Sequence, residues 1–241
     1  MPPNARRIAI VPAFNEEHCV GGVVREISAA DPRLEVLVVD DGSSDRTAAA
    51  ALDAGARVVR LPYNLGIGGA VQTGYRYARR HGFDLAVQID GDGQHDPREL
   101  SRLLAPLVAG EADMVVGSRF AGAGTYEPSF ARRLGIRLFA RTISLVFGRR
   151  VTDTTSGFRA VNRRGIALFA DDYPHDYPEV EAIVMLAKSR LRLVEIPVEM
   201  RRREFGRSSI TGARSFYYMV KVLLAVFVGC FRRYAVPSEA A

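Results

Sequence analysis

The chain has 241 residues, enough to bury a sizeable core in one large domain, or in one domain with an appendage. Its two cysteines, Cys19 and Cys230, stand far apart without CxxC spacing, which argues against a disulfide framework or a cysteine-based zinc site and for a reducing compartment. The formal charge of +6 is concentrated at the end, where residues 196–241 carry eight Arg or Lys against three Glu; lacking aromatic and RNA-binding signatures, such a tail suits anionic lipid or a phosphorylated substrate better than nucleic acid.

The chain enters an apolar run at Ile8 almost at once, so no signal peptide is expected. Arg7 to Ala13 reads as a buried strand that ends in polar groups, Pro12-Ala13-Phe14-Asn15-Glu16-Glu17. Val20, Val23, Val24 and Ile27 then fit one helical face. The next strand, Leu34 to Asp40, runs into Asp40-Asp41-Gly42-Ser43-Ser44. One carboxylate of that pair can accept hydrogen bonds from a nucleobase or ribose; the alternative is a plain loop before a helix over Asp45 to Leu52, capped by Ser43 or Ser44. After a third strand, Arg57 to Leu61, comes "NLGIGGAVQTGY", whose Gly66, Gly68 and Gly69 allow backbone to approach a ligand at a helix start. It is not the dinucleotide fingerprint, because it follows the wrong strand and Val71 stands where the last glycine belongs.

Strand Leu85 to Ile89 ends in "DGDGQHDP". In an extended segment Asp90 and Asp92 point to one side, and Gly91 and Gly93 permit close approach. Two such carboxylates repel unless a cation lies between them, and a hard divalent ion, Mg²⁺ or Mn²⁺, suits oxygen ligands, with Gln94 and His95 extending the shell. The competing reading is a solvated acidic turn with Asp96 as a helix cap. A helix follows from Asp96-Pro97 with Leu100, Leu103, Leu104, Leu107 and Val108 on one face, then a strand over Met114 to Gly117. This βαβ alternation predicts a mostly parallel twisted sheet covered by helices on both faces, with a ligand at the carboxyl ends of its strands.

Beyond Gly117 the rhythm breaks. Gly122, Gly124 and Pro128 mark a loop, Phe130 to Phe147 a helix carrying Arg133, Arg137 and Arg141, Glu179 to Arg190 a helix and Leu193 to Val198 a strand. The run from Phe216 to Phe231 falls short of the roughly 20 residues of a membrane span and suits a helix lying on a membrane or against a partner.

"VPAFNEE", "VVDDGSSDRT", "NLGIGGAVQTGY", "QIDGDGQHDP", "VVGSRF" and "DTTSGFRAVN" occur in the order found in family 2 inverting glycosyltransferases of the GT-A fold, and the chain most resembles the polyprenyl-phosphate sugar synthases of the dolichyl-phosphate mannosyltransferase type. The resemblance runs from about Ile8 to Ser209 and implies a nucleotide-sugar donor, UDP- or GDP-linked, with Pro12, Phe14, Glu16 and Asp41 around base and ribose and Asp40, Gly68 and Gly91 in the same donor region. It implies that Asp90, Asp92 and Gln94 meet metal and diphosphate, that Arg119 lies near the donor phosphates, and that Arg133, or its neighbour Arg132, belongs to the acceptor region. Arg203 opens "REFGRSS", resembling a segment whose arginine meets the lipid phosphate, with Arg207 and Ser208 beside it and Ser209 in place of the family's lysine.

A lipid phosphate, with a second pKa of about 6, is already anionic near neutral pH, so it attacks without a strong base. A hydroxyl acceptor needs one, and Glu179 or Glu181 is the candidate, unless these glutamates only complement a helix N-terminus. The expectation is a GT-A catalytic domain over 1–210 and a membrane- or partner-associating helix over 211–241, peripheral at the cytoplasmic face and open to a small membrane-protein partner. The rivals are transfer to a saccharide hydroxyl and an idle nucleotide-sugar-binding module.

Overall fold

A computed structural model describes residues 5–121, 151–175 and 178–201, together with Arg141, Ser144, Leu224 and Phe227. In chain order it contains β1 (Arg7–Ala13), α1 (Val20–Ala30), β2 (Leu34–Asp40), α2 (Thr47–Asp53), β3 (Arg57–Arg60), α3 (Gly66–Arg80) and β4 (Leu85–Gln88). A 3₁₀ turn at Pro97–Glu99 leads into α4 (Leu100–Val108), followed by β5 (Met114–Ser118), β6 (Arg159–Asn162), α5 (Arg163–Asp171), α6 (Pro178–Lys188) and β7 (Leu193–Pro197).

The strands form one sheet in the order β3-β2-β1-β4-β6-β5-β7. All pairs are parallel except those of β6, which runs antiparallel between β4 and β5. Alternate strand residues enter two different cores: Ile8 and Ile10 pack with Tyr75, Phe169 and Val180, while Ala9 and Val11 pack with Val24, Ile27 and Leu103. Burial on both faces is why the strands read as unbroken Val, Ile and Leu runs.

The parallel half follows the expected βαβ order, and Asp96 caps the turn before α4 as expected, its side chain accepting from Arg98 N–H at 3.0 Å with Pro97 at the first position. Two details differ. The oxygen at the start of α2 comes from Asp45, which accepts from Thr47 N–H at 2.9 Å, because Ser43 and Ser44 are bonded to Asn15 instead. Strand β6 and helix α5 arise within and after "DTTSGFRAVN", where no apolar run announces a strand: only Arg159–Asn162 pair, and Arg159 faces inward.

Among the described residues, no helix is long and apolar enough to cross a membrane. The closing segment 211–241 lies outside them except for Leu224 and Phe227, which are helical and exposed.

Candidate functional site

Because β2, β1 and β4 are parallel neighbours, their carboxyl ends deliver three polar loops to one edge of the sheet. Hydrogen bonds staple these loops together. Asp41 N–H donates to the Ala13 carbonyl at 2.9 Å, Asn15 N–H to Ser43 Oγ at 2.9 Å, and Ser44 N–H to Asn15 Oδ1 at 2.9 Å. Asn15 holds a positive φ of 55°, tolerable for an asparagine whose side chain is bonded locally. Glu16 N–H reaches Thr47 Oγ1 at 2.8 Å, Pro12 is buried, and Phe14 stands at the rim, 47% exposed.

The two aspartates at the end of β2 turn inward. Asp40 accepts from Ser43 N–H at 3.0 Å, and its Oδ2 lies 3.3 Å from Arg60 Nε, an ion pair without hydrogen-bond alignment. Asp41 Oδ1 accepts from Leu65 N–H at 2.7 Å, tying this loop to the start of α3. Burial raises the Asp41 carboxyl above its usual range, against the pull of the Leu65 and Gly66 N–H groups, and the neighbouring Asp40 charge adds to the rise. Gly42 is required at this crossing: its φ is +72°, and a Cβ would lie 2.7 Å from the Tyr63 carbonyl carbon. Beside it a cavity of about 300 Å³ is lined by Gly42, Ser43, Arg60, Leu61 and Pro62.

The acidic turn after β4 packs onto the end of β1, where a Cβ on Gly91 would meet the Pro12 carbonyl at 3.2 Å. Asp92 Oδ1 accepts from Gln94 N–H at 3.0 Å. The Asp90 side chain stays 36% exposed, and Gly157 keeps one side of it clear, since a Cβ there would lie 2.9 Å from Asp90 Oδ2. His95 is buried and stacked on Phe158 with 5.0 Å between ring centroids. Its Nδ1 accepts from Asp90 N–H at 3.1 Å, so the neutral ring carries its proton on Nε2, which stands 3.6 Å from Asp90 Oδ2. Burial, ahead of the nearby charges, lowers the His95 pKa to about 4.

These residues fit a hard divalent cation. Asp90 and Asp92 are half-buried carboxylates with a glycine on either side of Asp92, and among the described residues no group of three or more His, Cys, Asp or Glu forms a closed cage. A two-carboxylate site leaves positions for phosphate oxygens and water, as Mg²⁺ and Mn²⁺ require.

Arg119, just after β5, is held in a fork. Its Nε and Nη2 donate to Asp153 Oδ2 and Oδ1, both at 2.8 Å, and Nη2 also reaches Thr155 Oγ1 at 2.7 Å. Burial alone would raise the Asp153 carboxyl, but the hydrogen bonds and charge of Arg119 outweigh it and bring it below the usual range. Glu179 stands at the start of α6, and the charges of Arg159, Asp90 and Arg119 all act on its carboxyl. Burial pushes the Glu179 carboxyl upward against the favourable field of Arg159, although part of the residue remains accessible. Arg159 itself is fully buried and donates to the Ser156 carbonyl at 2.6 Å.

Gly68 meets backbone from the same molecule, since a Cβ would come within 2.3 Å of the Pro174 carbonyl. Arg132, Arg133, Arg203, Arg207 and Ser208 lie outside the described residues. Met200 pairs with His95 in an isolated antiparallel bridge, and Arg201 N–H donates to the Gln94 carbonyl at 2.9 Å, which places Met200 and Arg201 beside the acidic turn. Sequence reasoning missed Asp153, Thr155, Arg159 and Glu195. The signal available was a charge inside otherwise apolar or small-residue strands, "FRAV" and "LVEIPV".

The pattern of the family described as Glycosyl transferase family 2 matches residues 8–169. The chain is 33% identical over 230 residues to a polyprenol monophosphomannose synthase of Mycolicibacterium smegmatis, covering 91% of this chain and 86% of that one. It is 32% identical to an undecaprenyl-phosphate mannosyltransferase of Micrococcus luteus, covering 86% and 88% of the two. Among solved structures, glucosyl-3-phosphoglycerate synthase of Mycobacterium tuberculosis superposes with a TM-score of 0.73 at 22% identity, over 98% of this chain and 82% of that one, a likeness of fold.

Proposed function

The chain belongs to glycosyl transferase family 2, and from that premise we propose that it transfers a sugar from a nucleotide-sugar donor to a polyprenyl phosphate. The observation that carries this reading is the convergence of the Asp90-Gly91-Asp92 turn with the forked Arg119 at the carboxyl edge, in a chain whose relatives include synthases of this kind. Asp90 and Asp92, with Gln94 beside them, would hold Mg²⁺ or Mn²⁺, which when bound supplies charge neutralisation at the diphosphate.

The chain's own residues do the rest. Arg119, oriented by Asp153, meets charge developing on the departing nucleoside diphosphate. Arg203 and Arg207 supply charge-assisted bonds to the acceptor phosphate. An anionic acceptor attacks in line and inverts the sugar carbon, with no proton to remove. The tail over 211–241 holds the enzyme at the cytoplasmic membrane surface, directly or through a small membrane partner, and cell fractionation that leaves the protein wholly soluble would count against this.

The raised Glu179 carboxyl favours a second reading, transfer to a hydroxyl with Glu179 as base. The test is mass spectrometry of products from purified protein, Mg²⁺ or Mn²⁺, a panel of UDP- and GDP-sugars, and either a short polyprenyl phosphate or saccharide acceptors. A metal-dependent glycosyl lipid phosphate, absent with Asp92→Asn, supports the first reading. A glycosylated saccharide without that product supports the second.

A further inference from the structure

We propose that Glu195 is a positioning residue for sugar transfer: from β7 it pins the 152–157 loop, so that Asp153 holds Arg119 in the orientation the donor diphosphate requires. This rests on the assignment of Arg119 to the donor phosphates. Glu195 lies on the strand next to β5, its register partner being Val116, three residues before Arg119. Its carboxylate accepts Thr152 N–H at 2.8 Å, Thr152 Oγ1–H at 3.1 Å and Asp153 N–H at 2.8 Å. Among the described residues no Lys or Arg forms an ion pair with it. Among the described residues, the groups that bond the Glu195 carboxylate are all N–H and O–H donors of one short loop.

That loop carries what touches the site. Asp153, 0% exposed, accepts from Arg119 N–H, Nε and Nη2, and from Thr155 N–H, so its two oxygens are saturated and its direction follows its own backbone. Glu195 fixes that backbone at residues 152 and 153. Ser118 Oγ, 2.9 Å from Thr152 Oγ1, closes the loop against the strand that bears Arg119. Four residues on, Gly157 faces Asp90. A carboxylate with no substrate contact thus governs a guanidinium that has one, through charge-assisted bonds that are short and directional.

Glu195→Gln keeps the size but turns an amide N–H₂ toward N–H donors. The expected result is a loss of about 10- to 100-fold in kcat/KM for the nucleotide sugar, with KM for the acceptor within about twofold. In an Arg119→Ala background the same substitution changes the rate by less than about twofold, because the group it positions is gone. A merely stabilising Glu195 would instead give effects that multiply with those of Arg119→Ala, or no effect on the donor; either outcome overturns the proposal. If Glu195→Gln does not fold, Glu195→Asp, which keeps the acceptor oxygens but shortens their reach, is put through the same cycle. Calorimetric binding of UDP and GDP with Mg²⁺ gives a readout apart from turnover: Glu195→Gln must weaken it only when Arg119 is present. A wild type that binds nucleoside diphosphate but makes no glycosyl lipid phosphate defeats the proposed function and leaves this cycle readable.

Discussion

Two buried aspartates sit at opposite edges of the same sheet, and both are paired with arginine. Asp113, at the amino end of β5, accepts from Arg192 N–H at 2.8 Å and Asn162 Nδ2 at 2.9 Å, with Arg164 Nη1 at 3.3 Å. Asp153, at the carboxyl edge, takes the fork of Arg119. Both carboxyls would be raised by burial, and both are brought below the usual range by their partners. The difference lies in the arginines: those at Asp113 are 40% and 52% exposed and reach out into solvent, whereas Arg119 is 13% exposed and tied to the loop whose Gly157 lies against Asp90. One chemistry closes the ends of strands at one edge and aims a cation at the other.

The largest effect expected is on the carboxyl edge alone. Asp92→Asn lowers turnover about 10³-fold, measured as glycosyl lipid phosphate formed, while its urea unfolding midpoint stays near wild type. The pair of aspartates is separated next. Asp153→Asn lowers kcat/KM for the donor about 100-fold, whereas Asp113→Asn leaves kcat/KM within about twofold but costs about 2–4 kcal/mol in stability. The pH dependence carries a definite sign. A carboxyl with a lowered native pKa contributes stability that is present above its unfolded pKa, close to 3.8, and lost as pH falls through its native value, so the stability gap between wild type and Asp113→Asn narrows in acid unfolding curves. A gap that widens in acid would break the comparison.

Two smaller effects sharpen it. Gly68→Ala forces a Cβ against the Pro174 backbone and costs about 1–3 kcal/mol of stability; an unchanged melting temperature with a raised donor KM would show a ligand, not the chain, to be what needs that glycine. Glu179→Gln changes turnover with a polyprenyl phosphate by less than about threefold, since no proton is removed, and a loss of about 10² or more would move the acceptor to a hydroxyl.

Local chemistry was legible wherever a residue's role depended on its neighbours in the chain. The bounds of β1 and β2, the start of the helical turn at Asp96-Pro97 and the acidic turn after β4 all follow from apolar runs and the polar groups that end them. Strand β6 was not legible, because Arg159 is a charge on a buried face and its pairing depends on strands more than 40 residues away in sequence. The inward turn of Asp40 and Asp41 was hidden for a similar reason: the groups that hold them, Arg60 and Leu65, come from the next strand and its loop.

By itself, then, the amino-acid order determined the βαβ half of the sheet, the acidic turn at its carboxyl edge and membership of a family. Tertiary structure alone decided that β6 reverses direction between β4 and β5, that Asp153 holds Arg119 in a fork, and that Glu195 reaches across to the loop that does so. The physical reason is range. Side-chain periodicity and capping are fixed within a few residues, whereas a buried charge is tolerated only where distant segments bring it partners, and no local pattern records where those partners lie.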